Sequence, residues 1–585
     1  MFAGNEKSSS SNASSLSPGV RPAGQRVAIV GCGASGVYAL HAILRVPHVS
    51  EVVIFESDDL PGPGLPYHPR YNDRQALANI AGFEIPPLVE SLNAWAMRQP
   101  VSRLRDWGIE DSAADDRAFF PRIVLGAWFA DQFALIRSDP GSGKFVITHP
   151  STEVTDIIAL PGGCHVSYRC ADGSLADEPF DRVIVATGYG SNGSQHPKMD
   201  HDPELLTGKA AASAVQARSI AILGTSLSGI DAAVSVAMAR GHFQEENGRL
   251  RYSTDDSWRM VMMSRRGILP EADFWFPYPP PQPHIFTHEA VDSHVDGRDG
   301  DLDRLFELFV AELTLRDPDH ARRIDLSSAN ADNFADRYFA PRASGDPIAY
   351  ARANLAEAIG THASQQTSAW RHTILQAHEI FGAVLPRFSE ADFGRFQRGL
   401  KQVFTDNYAA VPHLSIERVL ALADAGVLQF ERLGPRYRID PTQDGQWCIS
   451  AAPFRQTFDA LIDARGQQTA AIDTLPFPTL RLQLCAAANA EGEHWGNGLS
   501  PDSDFTMAPR DPTWGRVHLC ALPYLLTDRP FVQGLIECAQ MANAVARAIS
   551  ADVPADQDDI DLKGMLQHLE NGPTIVLGNG AVVSL

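Results

Sequence analysis

The chain has 585 residues, a formal net charge of −22, 44% hydrophobic residues and 21% charged residues. That length exceeds what one hydrophobic core can organise, so two or three domains are required. So acidic a surface repels phosphate backbones and anionic lipid, which excludes nucleic acid and membrane surfaces as partners, but not a small anion held by local arginines.

Met1 to Pro22 is rich in Ser, Asn and Gly and has no apolar h-region. It reads as a disordered tail over residues 1–24, not a signal peptide. No stretch is long and apolar enough to span a bilayer. The seven cysteines are Cys32, Cys164, Cys170, Cys448, Cys485, Cys520 and Cys538, and none forms a C-x-x-C pair. That removes the usual zinc and redox-dithiol spacings, so no metal is expected. The scattered set reads as reduced thiols of a cytoplasmic protein.

Val27–Val30 is a short apolar strand candidate. Gly31-Cys32-Gly33-Ala34-Ser35-Gly36 follows, and then a helix that Pro47 stops. A second strand, Val52–Phe55, ends at Glu56. Residues 57–122 look irregular. Phe145–Thr148, Val154–Leu160 and His165–Arg169 read as a meander. The strand Arg182–Ala186 leads into Thr187-Gly188. The first pattern then recurs. Ser219–Leu223 is a strand, Gly224 to Gly229 a glycine-bearing turn and Ile230–Arg240 a helix. Met260–Met263 ends that unit at Ser264-Arg265-Arg266-Gly267.

From about residue 300 the period becomes helical. Leu302, Leu305, Phe306, Phe309, Val310 and Leu313 share one face, as do Phe393, Phe396, Leu400, Val403 and Phe404. Ser415 is placed to cap a helix that Gly426 ends. Phe458–Ala464 and Val517–Leu522 read as returning strands, and Gln533–Ile549 as a long helix.

In a G-x-G-x-x-G turn the first glycine allows the bend, the second admits a pyrophosphate and the third allows close packing. The helix N-terminus faces the phosphate charge. Glu56 stands where a carboxylate takes ribose hydroxyls. One such unit does not separate FAD from NAD. Two units, with a meander and an Ala186-Thr187-Gly188 strand end between them, match the layout of the two-dinucleotide flavoproteins. The expected fold is α/β, with two Rossmann-like domains for FAD and NAD(P)H and a mainly helical insertion. The boundaries expected are 25–213 for the first part of the FAD domain, 214–295 for NAD(P)H and 296–430 for the insertion. Residues 431–550 are expected to return to the FAD domain, and 551–585 to form a C-terminal tail.

The chain resembles the FAD/NAD(P)-binding proteins related to the flavin-dependent N-hydroxylating monooxygenases. The stretches that carry the resemblance are VGCGASG (Val30–Gly36), GPGLPYHP (Gly62–Pro69), LANIAG (Leu77–Gly82), FPRIVLGAW (Phe120–Trp128) and VIVATG (Val183–Gly188). ILGTSLSGIDAAVSVAMARGH (Ile222–His242) and SRRGILPEA (Ser264–Ala272) are the most specific. The segment Leu519–Ile549 resembles the closing FAD segment. The second turn departs from the family in having Ser226 where glycine is usual.

The resemblance implies bound FAD and NADPH, a C4a-hydroperoxyflavin, and a small-molecule substrate with O2. Members it points to include amino-acid N-oxygenases such as nitrosuccinate synthases, which makes aspartate the first candidate substrate. A urate-type hydroxylase and an NAD(P)H:acceptor flavin reductase are the alternatives, and a homo-oligomer is possible. The cofactor residues expected are Gly31, Gly33, Ser35, Gly36, Glu56, Thr187 and Gly188 for FAD, with Gly224, Ser226 and Gly229 for NAD(P)H. Asn79 in LANIAG is implied to face the flavin ring; alone it reads as an Asn in a turn. Arg265 and Arg266 are placed to fork onto a 2′-phosphate, or are a solvated basic pair. Arg122, Arg342 and Arg529 are the arginines available to hold a substrate carboxylate. Arg122 reads equally as a surface arginine at a helix start.

Asp273–His284, dense in aromatics and prolines, reads as a rigid connection into the insertion that could line a pocket mouth. His284 and His288 have H-x-x-x-H spacing without the full zinc pattern and read as chance. No G-x-S-x-G elbow is present, which disfavours a serine hydrolase.

Overall fold

The computed structural model describes residues 24–109, 117–188, 212–466, 469–491, 501, 503–506, 516–532, 534–551, 575–576 and 582–583. The expected N-terminal tail up to residue 23, and most of the expected C-terminal tail, lie outside the described residues.

Strand β1 (Gln25–Val30), helix α1 (Ala34–Ile43) and strand β2 (Val49–Phe55) form the first unit. Val27, Ala28 and Ile29 are fully buried, as suits a parallel strand covered on both faces. The sheet has five parallel strands, in the order Val517–Leu519, Arg182–Val185, β1, β2, Phe145–His149. The helix Arg122–Ser138 precedes Phe145–His149 and supplies the long crossover that a parallel strand needs. Phe145–Thr148 is therefore the outer strand of the main sheet, not the start of the meander. The meander consists of Glu153–Leu160, Gly163–Arg169 and Leu175–Phe180. The C-terminal helix Leu535–Ala551 lies against α1, with Ser35 Oγ 3.2 Å from Cys538 Sγ. Part of the stretch expected to be irregular is helical, at Leu92–Met97 and Val101–Asp106.

The second unit is β3 (Ser219–Leu223), α2 (Leu227–Arg240) and β4 (Arg259–Ser264). Its parallel sheet runs Leu428–Arg432, β4, β3, Ala460–Asp463. Residues 428–463 thus return to the second sheet first, and the chain reaches the first sheet again only at Val517. The expected boundary at 431 differs for this reason: an isolated apolar run does not say which sheet it completes.

The helical region joins these units. Asp301–Arg316 carries the first predicted apolar face, with Leu302, Leu305, Phe306, Phe309 and Leu313 buried. The second predicted face is two helices, Glu390–Arg398 and Leu400–Tyr408, broken at Gly399. Ser415 is the third residue of the helix His413–Asp424 and caps nothing; the helix starts after Pro412. Gly426 follows that helix with φ +74°, a left-handed position that favours glycine. The core of this region is aromatic. Phe309 is fully buried and meets Phe286, Phe306, Phe334, Phe381 and Phe404 with ring centroids 5.6–6.4 Å apart.

Such edge-to-face clusters leave little room to collapse around a void. Phe309→Ala is expected to destabilise the helical region by about 3–5 kcal/mol. Calorimetry should show a lowered melting temperature for that region. An unchanged melting temperature would contradict this packing.

Candidate functional site

The first turn is built by backbone contact. Gly31 has φ +97°, and a Cβ there would lie 2.5 Å from the Ala186 carbonyl oxygen. A Cβ on Gly36 would lie 2.1 Å from the Gly31 carbonyl oxygen. Gly33 faces Gly64, whose Cα is 3.2 Å from the position of its absent Cβ. Gly33 caps α1 with extended backbone and no side-chain hydrogen bond. Gly33, Ala34 and Ser35, at the uncapped start of α1, line the cleft, which suits a pyrophosphate. At the end of β2, Glu56 Oε2 accepts the Cys32 N–H at 2.7 Å and Oε1 accepts the Asp58 N–H at 2.9 Å. The carboxylate is thereby held beside the turn. These features fit a dinucleotide: bulk is excluded, donors are free and an acceptor is placed for ribose.

The second turn repeats the construction. Gly224 has φ +115°, and its Cβ would lie 2.3 Å from the Ala464 carbonyl oxygen. A Cβ on Gly229 would lie 2.4 Å from the Gly224 carbonyl oxygen. Ser226 caps α2 at φ −101°, an ordinary conformation for an L-residue, so the departure from glycine costs no backbone strain.

Both turns open on one cleft of about 2650 Å³. Gly31, Gly33, Ser35, Glu56, Asn79, Arg122, Thr187 and Gly188 line it from the first unit. Gly224, Ser226, Arg265 and Arg266 line it from the second. Gly36 and Gly229 are buried beneath the turns. Phe276 and Tyr278, from the aromatic and proline-rich connection, also line the cleft. Arg265 is exposed. Arg266 donates to Gln402 Oε1 at 2.5 Å, and its guanidinium lies 4.1 Å from the Phe339 ring centroid. Its contacts thus tie β4 to the helical region.

The three candidate substrate arginines separate. Arg122 reaches the cleft but donates to Asp231 Oδ2 at 2.6 Å, tying the first unit to α2. Arg342 is 4% exposed and does not itself line the cleft; it lies behind Asp406 and Phe339, which do, in an ionic cluster with Glu271 and Asp406. Arg529 does not line it either, donating to the Pro501 carbonyl at 3.0 Å and sitting 4.8 Å from the Phe505 ring centroid. Nothing local in a sequence distinguishes an arginine that packs in the interior from one that lines a pocket.

His288 opens the helix His288–His294, which Thr287 caps, while His284 precedes it with its N–H donated to Glu312. The two do not share a helix. Asp58, Asp59 and His68 bring possible ligand atoms within 4.8 Å of one another, but Arg70 pairs with both carboxylates, at 3.0 and 3.5 Å.

The fold adds residues that sequence reasoning missed. Arg465 lines the cleft beside the second turn and pairs with Asp463 at 2.5 Å. Among the carboxylates that line the cleft, Glu84, Glu379 and Glu537 come from distant parts of the chain. Burial pushes the Glu84 carboxyl up to about 7; Asp273 and Glu379 push the same way, against the Ala81 N–H and Arg117. Burial likewise pushes Glu537 up to about 7, with Glu379 adding to it. Glu379 is open to the cleft, and desolvation by the surrounding walls raises it as well. His372 and His378 line the same wall, and burial pushes both down to about 4. Only Glu537 had a local signal, as the third residue of a helix opening after Gly534.

A carboxyl raised from 4.5 to about 7 by folding contributes stability that is present below pH 4.5 and lost as pH rises through about 7. Glu537→Gln does not titrate. Its melting temperature relative to the parent protein is expected to rise between pH 4.5 and 7 and to stay level above. A difference independent of pH would contradict the burial of this carboxyl.

Residues 28–190 match the family model described as FAD-NAD(P)-binding, and residues 287–408 match the YdhS-like middle domain. The chain therefore carries an FAD/NAD(P)-binding domain and a helical middle domain of that type. Among solved structures the chain is similar to the ornithine N-hydroxylase KtzI of Kutzneria sp. 744, with 14% identity, 90% of this chain and 99% of that chain covered, and a TM-score of 0.42. It is also similar to the lysine monooxygenase NbtG from Nocardia farcinica, with 12% identity, 89% and 98% covered, and a TM-score of 0.44. Among the described residues no helix is long and apolar enough to cross a membrane. The protein YdhS of Escherichia coli (strain K12) is 37% identical over 533 residues, covering 90% of this chain and 97% of that protein, and the chain belongs to the YdhS family.

Proposed function

We propose that the protein is an FAD-dependent, NAD(P)H-using monooxygenase that transfers oxygen to the nitrogen of an amine. The observation that carries this reading is the single cleft onto which both glycine turns open, with the helical middle domain as its third wall. Reactive oxygen species need shielding from bulk water, and the middle domain supplies one wall of that shield. The absence of a C-x-x-C pair disfavours dithiol reduction, the commonest alternative use of two such units.

Bound FAD, reduced by NAD(P)H, supplies O2 activation and transfer of one oxygen atom. The protein's own residues bind and shield. Gly31, Gly33 and Gly36 let the start of α1 approach a pyrophosphate, and Glu56 accepts ribose hydroxyls. Ser35, Asn79, Thr187 and Gly188 line the same cleft and would complete the FAD site. Gly224, Ser226 and Gly229 hold the nicotinamide dinucleotide. Exposed Arg265 reads the 2′-phosphate, so NADPH is the preferred reductant. Arg266 positions the middle domain through Gln402 and Phe339.

Small amino acids are the first substrates to test, aspartate among them. Of the arginines expected to hold its carboxylates only Arg122 lines the cleft, and Asp231 occupies it.

Gly33→Val is expected to fold yet lose its FAD absorbance, because the side chain fills the approach to the turn. Full flavin content would sink the assignment. Arg265→Ala is expected to raise the NADPH KM about tenfold and leave that for NADH unchanged. Equal effects on both would show that Arg265 does not read the phosphate. The reaction itself is tested by incubation with NADPH, O2 and single amines, with peroxide measured in parallel and mass analysis for oxygen on nitrogen. If no amine stimulates NADPH use or gains oxygen, the monooxygenase reading fails.

A further inference from the structure

We infer that Arg122, Asp231 and Arg418 are positioning residues that carry the occupancy of the second glycine turn to the cleft-lining strip Ala78-Asn79. A nicotinamide dinucleotide bound at one unit then stiffens the flavin side of the other. The inference rests on reading the second turn as a nicotinamide dinucleotide site, and it adds a link that neither glycine turn contains.

Three successive carbonyls lead into the strip, and an arginine takes each. The Gln75 carbonyl accepts from Arg418 Nη1 at 2.9 Å, the Ala76 carbonyl from the Arg122 backbone N–H at 2.8 Å, and the Leu77 carbonyl from Arg122 Nε at 3.3 Å. Arg418 Nη2 also donates to Gln75 Oε1 at 2.6 Å. Leu77 forms an isolated antiparallel bridge with Pro121, and the Ala78 N–H donates to the Phe120 carbonyl at 2.9 Å. Ala78, Asn79 and Ile80 then line the cleft. Residues 75–80 belong to no helix and to neither parallel sheet, so these few bonds fix their path.

The second unit holds the other end of the clamp. Asp231 is the fifth residue of α2, the helix that starts at the second glycine turn. It follows Leu227 by four residues and so stands one turn behind it on the same face. Ser226 and Leu227 line the cleft. Asp231 Oδ2 accepts from Arg122 Nη2 at 2.6 Å, and both side chains are largely buried. Arg418 is buried too, on the helix His413–Asp424. Ile416, Val419 and Leu420 of that helix share a core with Ala232, Ala233 and Val236 of α2. Arg122 therefore joins the strip to α2 directly, and Arg418 joins it through a helix packed on α2.

A charge-assisted bond shielded from water is strong and directional. The guanidinium of Arg122 is a rigid fork, with Nε on the Leu77 carbonyl and Nη2 on Asp231, and an ammonium offers no such fixed pair. A dinucleotide on the second turn orders the start of α2. Asp231 passes that order to Arg122, and Arg122 to the strip, which then opens less often. The coupling is reciprocal: a ligand that orders the strip favours the dinucleotide by the same factor.

The test is hydrogen–deuterium exchange of the FAD-loaded full chain, read on peptides spanning residues 75–82, with and without NADP+. NADP+ affinity is measured separately by calorimetry. NADP+ is expected to slow exchange in these peptides at least threefold in the parent protein. Asp231→Ala is expected to bind NADP+ within threefold of the parent and to lose the slowing. Asp231→Glu keeps an acceptor for Arg122 and is expected to retain it. Arg122→Lys keeps the charge without the fork and is expected to lose most of it, so the result does not hang on one variant. A bond that is structural only would speed exchange in Asp231→Ala equally with and without NADP+, leaving the ratio at its parent value, and that outcome overturns the inference. NADP+ that binds the parent protein without slowing the strip also overturns it and leaves the nicotinamide reading standing. A chain that binds no NADP+ overturns both.

Discussion

The middle domain is anchored on the second unit through one buried carboxylate, Glu271. It is 4% exposed and lies in the segment that leaves the second unit after β4. Arg371 Nε approaches it at 3.0 Å and Arg342 Nη1 at 3.7 Å, while Tyr350 donates to it at 2.6 Å. Arg342 in turn binds Asp406, which also accepts from Tyr338 at 2.8 Å. Burial pushes the Glu271 carboxyl up, but Arg371 and Arg342 outweigh it and hold it below its ordinary value. Several helices of the middle domain thus converge on one residue of the second unit. Removing one member of such a cluster would leave a charge buried without its partner, which is the costly case. The cluster sets where the middle domain stands, and so where the wall of the cleft stands.

The two dinucleotide turns solve the same steric problem twice. In each, the first glycine lies against the carbonyl oxygen that ends a neighbouring strand, Ala186 for Gly31 and Ala464 for Gly224. In each, the last glycine lies on the carbonyl of the first. Strand, turn and helix are locked into a single geometry because no side chain fits between them. The middle position is the freer one. Gly33 is packed against Gly64, whereas Ser226 stands in its place in the second turn without strain. The two units are joined by Arg122 on Asp231 and by Arg418 on Gln75, so both turns face one space.

Electrostatics divide that space. Near the second turn are cations, Arg265, Arg266 and Arg465. Where the middle domain meets the first unit are carboxylates and neutral imidazoles, all shifted by loss of water. A phosphate is suited to the first of these regions, where Asp463 already holds Arg465 and leaves Arg265 exposed.

The sequence by itself determined the two β-α-β units. Each unit's strands and turn lie in one continuous stretch, Gln25–Phe55 and Ser219–Ser264, and local periodicity and glycine spacing encode them directly. It likewise determined that the middle of the chain is helical, because an apolar face at a period near 3.6 needs no knowledge of its partner. Only the tertiary structure decided what those faces meet. Phe145–His149 joined the main sheet, and Leu428–Arg432 and Ala460–Asp463 joined the second, because strand pairing is a contact between distant segments. The same holds for charge. Arg342 and Arg529 turned inward, and Glu84, Glu379 and Glu537 converged on the cleft across more than four hundred residues of chain. A side chain's burial and partners belong to the folded surface around it, and local spacing carries no record of them.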